Sequence, residues 1–298
     1  MQKKSLLIFY SVLLLIIPVH AFGKADGVHI ITTLTGNKDI GQLGLIGGVF
    51  FDENKKRLYV SDSSNKRILS YDAELKYLSA WQPGEALASP TGLVRTSDGT
   101  FIVVEPSIRG ILKVDMQQRS IEPVDFSAVP EADTFYPGRI AIDPQDNIYI
   151  IDRAHSRVLL FNADLQFKRE IVQEGKATMN DIKVDKQGNI YVLSTIEGIV
   201  TKYDSAGKKV LEFGQRGQGE DAFNFPVSLA VDQKGLIYVV DQHKSKILVF
   251  DNRGTFLFAV SKLGWWEGRL AFPSFIFINN AGMIFVVDQD NSRISIFQ

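Results

Sequence analysis

Phe225-Pro-Val-Ser-Leu-Ala-Val-Asp-Gln-Lys-Gly-Leu-Ile-Tyr-Val-Val-Asp-Gln-His-Lys-Ser-Lys-Ile-Leu-Val-Phe-Asp251 packs three short apolar runs between polar clusters. Runs of four or five residues rich in Val, Ile, Tyr and Phe, bounded by Asp, Gly, Lys and Ser, read as strands. Gly235 sits at the bend between the first two, where a residue free to take positive φ suits the turn. Asp251-Asn-Arg-Gly254 makes the next bend and Phe256-Leu-Phe-Ala-Val260 a fourth run. The unit is therefore four strands long.

The unit recurs. Asn54–Asp62, Thr96–Glu105, Asp143–Asp152, Asp185–Ser194 and Asn279–Asp288 repeat its turn and second strand. The aligned positions are Tyr59, Ile102, Tyr149, Tyr191, Tyr238 and Phe285, spaced by 43, 47, 42, 47 and 47 residues. Thirteen residues beyond each stand Asp72, Asp115, Asn162, Asp204, Asp251 and Gln298, without a gap in any repeat. A period of roughly 40 to 50 residues with four strands per unit predicts a β-propeller blade. The chain is expected to be all-β, a six-bladed β-propeller with repeats at about 44–80, 89–126, 136–173, 179–214, 225–261 and 272–298.

The sixth repeat ends after its third strand, Ile294-Ser-Ile-Phe297, while Val28-His-Ile-Ile-Thr-Thr-Leu34 is a spare strand ahead of the first. The expectation is that residues 28–34 complete blade six and close the ring, which removes the bare edge an open array would carry. Five closed blades with a frayed end is the alternative.

These repeats resemble the NHL-type propellers. Phe225-Pro-Val-Ser-Leu-Ala-Val-Asp232, Gly235-x-Ile-Tyr-Val-Val-Asp241 and Ser245-Lys-Ile-Leu-Val-Phe-Asp251 carry the likeness, with the spacer Phe213–Pro226. The resemblance implies fold rather than function, because one propeller scaffold hosts unrelated roles. Among similar proteins it implies exported binding or sensor domains, RNA-binding domains and a zinc-dependent amidoglycolate lyase.

Lys3 and Lys4 precede an apolar run from Leu6 to Val19, and Val19-x-Ala21 suits a cleavage site. That is the pattern of a signal peptide over residues 1–21; an uncleaved anchor is the rival reading. A secreted or periplasmic location is expected. The chain has no cysteine, which excludes disulfides, thiolate metal sites and a thiol nucleophile. It carries 33 basic and 34 acidic residues; without Lys3 and Lys4 the balance is 31 to 34, or −3. No long-range field invites nucleic acid, so no nucleic-acid partner is expected.

The loops after the second and fourth strands should open on one face, the upper face. In four repeats an acid precedes a base by five residues there: Asp62 and Arg67, Asp152 and Arg157, Asp241 and Lys246, Asp288 and Arg293. Repetition argues for a loop staple, since a site is usually asymmetric. Glu105 with Gly110, and Ser194 with Ile199, break the pattern and are expected to leave an opening. The entrances to the innermost strands place Arg139 and Asp181 in neighbouring blades, either paired or orienting a ligand. Asp181, Asn180 and Glu105 supply oxygens for a weak hard-cation set. Beyond residue 21 only His29, His155 and His243 remain, and their places are not equivalent, so a three-histidine zinc site is not expected. No Gly-x-Ser-x-Gly elbow or Walker loop occurs.

Trp265-Trp266 lies in the loop from Val260 to Pro273, equal in length to that from Phe213 to Pro226; the tryptophans replace Gln218 and Gly219. Exposed aromatics mark binding surfaces and stack on sugars or peptides. At least one ring is expected to be buried. The functional expectation is an exported, non-catalytic scaffold that binds a protein, peptide or glycan on the upper face. Its expected ligand residues are Arg139, Asp181, Trp265, Trp266, Glu105 and Arg269, with no metal or other cofactor. The alternative is a metal-dependent lyase or lactone hydrolase working in the central channel.

Overall fold

The structure, a computed structural model, describes residues 27–173 and 178–298. The leader assigned to residues 1–21 lies outside these. The described residues form six four-stranded antiparallel sheets. Blade one holds Ile46–Asp52, Arg57–Asp62, Arg67–Tyr71 and Tyr77–Trp81. Blade two holds Gly92–Arg95, Phe101–Glu105, Gly110–Asp115 and Ser120–Pro123; blade three holds Pro137–Ile142, Ile148–Asp152, Arg157–Phe161 and Phe167–Gln173. Blade four holds Asp181–Val184, Ile190–Ser194, Ile199–Tyr203 and Lys209–Phe213; blade five holds Pro226–Val231, Ile237–Asp241, Lys246–Phe250 and Phe256–Val260. In these five the strands pair in chain order.

Blade six differs as the sequence predicts. Its Pro273–Ile278, Ile284–Asp288 and Arg293–Phe297 are completed by Ile30–Thr35 at the outer edge. Ile30 faces Phe297 and Thr35 faces Arg293, and His29 exchanges two backbone hydrogen bonds with Gln298 at 2.9 and 3.0 Å. The ring has six sheets, which excludes the five-bladed alternative. The edge that this strand covers would otherwise leave the N–H and C=O groups of a buried apolar strand unpaired.

The core is divided among the blade interfaces. Second strands are buried along their length, or nearly so, in every blade. Their side chains alternate between two clusters: Tyr149 and Ile151 pack toward blade four, Ile148 and Ile150 toward blade two. Six such clusters form, one per pair of adjacent blades. A strand buried on both faces must be a near-continuous apolar run, which is how these read.

The repeated acid ahead of each second strand has a structural task. Asp143, Asp185 and Asp232 each use Oδ1 to accept N–H groups of their own hairpin, at 2.8–2.9 Å. Oδ2 of each accepts the hydroxyl of Tyr149, Tyr191 or Tyr238, at 3.1–3.3 Å. Burial, with the adjacent carboxylate, pushes these three phenols well above the ordinary tyrosine range.

Candidate functional site

The upper-face acids bind backbone in every repeat that has one. Asp62 accepts from Gly44 N–H, Glu105 from Ala88 and Ser89, Asp152 from Tyr136, Asp241 from Asn224 and Phe225, and Asp288 from Ala271. Each carboxylate thereby holds the segment entering its own blade's innermost strand. The arginines reach further. Arg67 Nε binds Asp62 at 2.9 Å and its other nitrogens donate to the carbonyls of Ile40 and Gln42. Arg157 and Arg293 repeat this with Asp152 and Asp288. The staple reading holds for those three pairs. In blade five Asp241 serves backbone N–H groups, including that of Lys244 at 3.0 Å.

Glu105 is a correction. It is buried, and its carboxylate accepts from Ala88, Ser89 and Ser107 N–H and from the Ser107 hydroxyl. Committed to its own loop, it has no lone pair aimed at a ligand. Nor does the break at Ser194 leave an opening: Ser194 Oγ donates to Thr178 O at 2.6 Å and bonds Glu197.

Arg139 and Asp181 occupy the channel wall with a third group that the sequence reading passed over, Lys183. Arg139 Nη1 donates to Thr91 O at 2.7 Å and to Gly47 O. Gly47 lets the backbones entering the innermost strands of blades one and two come together, because a Cβ there would sit 2.5 Å from both Pro90 O and Thr91 Cα. The Arg139 guanidinium lies 4.7 Å from the Phe275 ring centroid, and Lys183 Nζ lies 4.9 Å from the same ring. Lys183 Nζ bonds both oxygens of Asp181 at 3.1 and 3.2 Å, and Ile182 O at 3.2 Å. Asp181 also accepts Ser228 Oγ–H at 2.6 Å and Leu229 N–H at 3.0 Å, and Ser228 Oγ accepts Ile276 N–H at 3.2 Å.

The groups form a belt that touches all six blades: carbonyls from one and two, Arg139 from three, Lys183 and Asp181 from four, Ser228 from five, Phe275 from six. Arg139 and Asp181 are not directly paired; Lys183 is the aspartate's cationic partner. Burial pulls Arg139 and Lys183 below their ordinary pKa values, Asp181 opposes this in both, and each feels a neighbouring cation, Arg153 or Arg139 respectively.

Below the belt lies a cavity of about 690 Å³. Its wall runs from Lys183 and Phe275 down to the hairpins of the lower face, at Asn54, Ser97, Pro144, Lys186, Gln233 and Asn280. The space in the channel therefore opens opposite to the expected ligand face. Lys183 was detectable in principle. Counting back two residues from the hairpin acid or its equivalent gives Phe50, Val94, Ala141, Ala230 and Phe277 in the other blades, so a lysine there interrupts an apolar column.

On the upper face Trp265 and Trp266 are both exposed, at 68% and 66%, so neither ring is the buried one expected. Leu263 and Phe272 in the same loop are exposed too. The loop is built from below. Arg293 donates to Trp265 O at 3.1 Å, Trp266 O at 3.0 Å and Arg269 O at 2.8 Å, and Asn291 Nδ2 donates to Gly264 O at 3.1 Å. A parallel bridge from Leu263 to Leu270 closes it, as Arg216 to Phe223 closes the matching loop one blade earlier. Arg269 is half-buried in this loop.

A metal set does not assemble. Glu105 and Asp181 are engaged as described, and Asn180 Oδ1 accepts Thr195 N–H at 2.8 Å. His155 binds Asp152 at 2.6 Å and His243 stacks on Phe225, with centroids 4.5 Å apart. Among the described residues no three His, Asp or Glu side chains converge as a metal-binding group. No described helix is long and apolar enough to cross a membrane.

Six four-stranded sheets around a channel define the class, a six-bladed β-propeller. Residues 45–262 match the SMP-30/Gluconolactonase/LRE-like region, and the chain belongs to that family. The NHL likeness is thus supported at the level of the propeller, while the matching family is a different one. A search of curated proteins by sequence finds no match. Similar solved structures include a gluconolactonase from Xanthomonas campestris, 16% identical with a TM-score of 0.66 over 86% of each chain. A streptogramin B lyase is 14% identical with a TM-score of 0.64, over 90% of this chain and 97% of that one. An auxiliary nutrient binding protein from Bacteroides thetaiotaomicron is 13% identical with a TM-score of 0.67, over 91% and 76%. At these identities the likeness is one of fold.

Proposed function

We propose that the chain is an exported, non-catalytic binding module that captures a glycan or peptide through the Trp265–Trp266 loop. The observation that carries this reading is two adjacent exposed indoles on a loop whose backbone is already held by Arg293 and Asn291. Large exposed aromatics on a rigid support bind at little cost in ordering, and their faces stack on sugar rings and peptide aromatics. The leader sequence supports a role outside the cytoplasm, and a nutrient-binding protein of similar fold supports capture as a use of this scaffold. Changing Trp265 and Trp266 together to Ala should cut retention on a glycan or peptide array at least tenfold while the far-ultraviolet spectrum and thermal midpoint stay unchanged. Equal retention by the variant would remove this loop from the binding surface.

Family membership favours a second reading, a lactone hydrolase or lyase. The residues do not fit a metal centre for it, since the candidate oxygens are spent on backbone and on Lys183. Assaying lactone opening before and after chelation separates the two readings: turnover abolished by chelator would establish the enzyme.

A further inference from the structure

We infer that the lower-face cavity is a second binding site, one that takes an amphipathic carboxylate with its head group at Lys183. The site is separate from the Trp265–Trp266 loop and stands on its own observations.

Three features select the ligand. The first is size and wall: about 690 Å³ falls within the roughly 300–1,000 Å³ typical of small-molecule pockets. Half-buried Phe50, Ile142, Val231 and Phe277 line it, with Phe50 and Phe277 in edge-to-face contact at 6.0 Å. The second is the polar end. Two cations, Arg139 and Lys183, stand against one carboxylate, and that carboxylate is already served by the neutral donors Ser228 Oγ, Leu229 N and Ile182 N. Among the described residues Arg139 hydrogen-bonds neutral carbonyls and lies on the Phe275 face, with Asp181 near but not bonded to it. The belt end of the cavity, with Lys183 in its wall and Arg139 beside it, thus carries more positive than negative charge on side chains largely withdrawn from solvent, which is where an anion gains most.

The third feature is the rim. Its carboxylates are committed elsewhere: Asp52 to Arg95, Glu53 to Lys56 and Asn280 N–H, Asp146 to Ser97, and Asp143, Asp185 and Asp232 to their hairpins and tyrosines. They do not supply a free anionic head that would turn the site toward an organic cation. An apolar body with one terminal carboxylate matches wall and end together.

The experiment is calorimetric titration of the purified chain with octanoate, 1-octanol and octylamine. Octanoate should bind with one-to-one saturation, octanol at least tenfold more weakly, and octylamine not measurably. Lys183→Met should weaken octanoate at least tenfold and leave octanol unchanged. Because Lys183 also partners Asp181, Ile142→Trp serves as an independent variant that fills the cavity without touching the belt; it should abolish both ligands. Absence of octanoate binding to the wild-type chain, octylamine binding as well as octanoate, or octanoate affinity unaltered by Ile142→Trp would overturn the inference. Trp265→Ala with Trp266→Ala should leave octanoate binding intact, so failure of either site is seen without the other.

Discussion

Replacing Asp288 by Ala isolates a charge that the fold has withdrawn from water. Asp288 is fully buried and Arg293 nearly so, with Nε to Oδ2 at 2.8 Å. The same carboxylate accepts Ala271 N–H at 2.6 Å and Asn291 Nδ2–H at 2.7 Å. Breaking one partner of a buried pair costs about 3–5 kcal/mol, because the remaining charge is left desolvated and uncompensated. For a domain of this size each kcal/mol moves the thermal midpoint by about 2–4 °C, so the shift should be about 6–20 °C downward. Adding Arg293→Met removes the stranded cation. What remains is a buried Ala271 N–H without its acceptor, a cost of about 1–3 kcal/mol, and three carbonyls of a loop whose Trp265 and Trp266 are exposed, so that water can replace Arg293 there. The double variant should therefore be more stable than Asp288→Ala alone, a coupling read by a thermal or urea double-mutant cycle. The pair Lys56–Glu53 is the control, since its lysine is largely exposed: Lys56→Ala should cost about 0–1 kcal/mol. A loss below about 1 kcal/mol for Asp288→Ala, or a double variant less stable than the single, would refute the view that the staple is a buried, coupled pair.

Two further outcomes follow from the fold. Burial pushes Tyr71 up to about 12, and burial with a carboxylate partner pushes Tyr149, Tyr191 and Tyr238 higher still. A phenol with its folded pKa raised contributes stability that is intact below the unfolded value of about 10 and lost as pH rises through the folded one. Absorbance at 295 nm should show these tyrosines ionising only together with alkaline unfolding; their ionisation in the native ring at pH 10 would contradict this. Deleting residues 27–35 uncovers the edge of Arg293–Phe297, whose side chains are buried along its length. The shortened chain should elute as oligomers or aggregate in size-exclusion chromatography, where a stable monomer would show that the ring does not need this strand.

The architecture was legible because each blade repeats the same demand. A strand buried on both faces must be apolar, a hairpin must bend at Asp-x-x-Gly or its equivalent, and Ile237-Tyr-Val-Val stands out against Asp232-Gln-Lys-Gly235 without any knowledge of neighbours. The closing strand was legible by subtraction, from a sixth unit one strand short. The site was less so, for identifiable reasons. Arg139 and Asp181 were marked by their column, but which acid pairs with which base depends on distances across the channel. Lys183 stands two residues beyond Asp181, and reading entrances alone passed over it. Glu105 stood out as an exception to the acid–base pattern, yet its longer side chain reaches Ala88 and Ser89 as the aspartates elsewhere reach their own entering segments. Exposure of both indoles was likewise invisible, since it depends on Arg293 gripping the loop from beneath.

Arg139 reaches across the hub to Gly47, Thr91 and Phe275, and among the described residues the cavity beneath is lined by no loop of the upper face. The two sides of the disc present different residues, so they are free to serve unrelated guests. For a molecule lodged beneath, the doorway is the ring of lower-face hairpins, and how long it stays is set by how widely they stand apart.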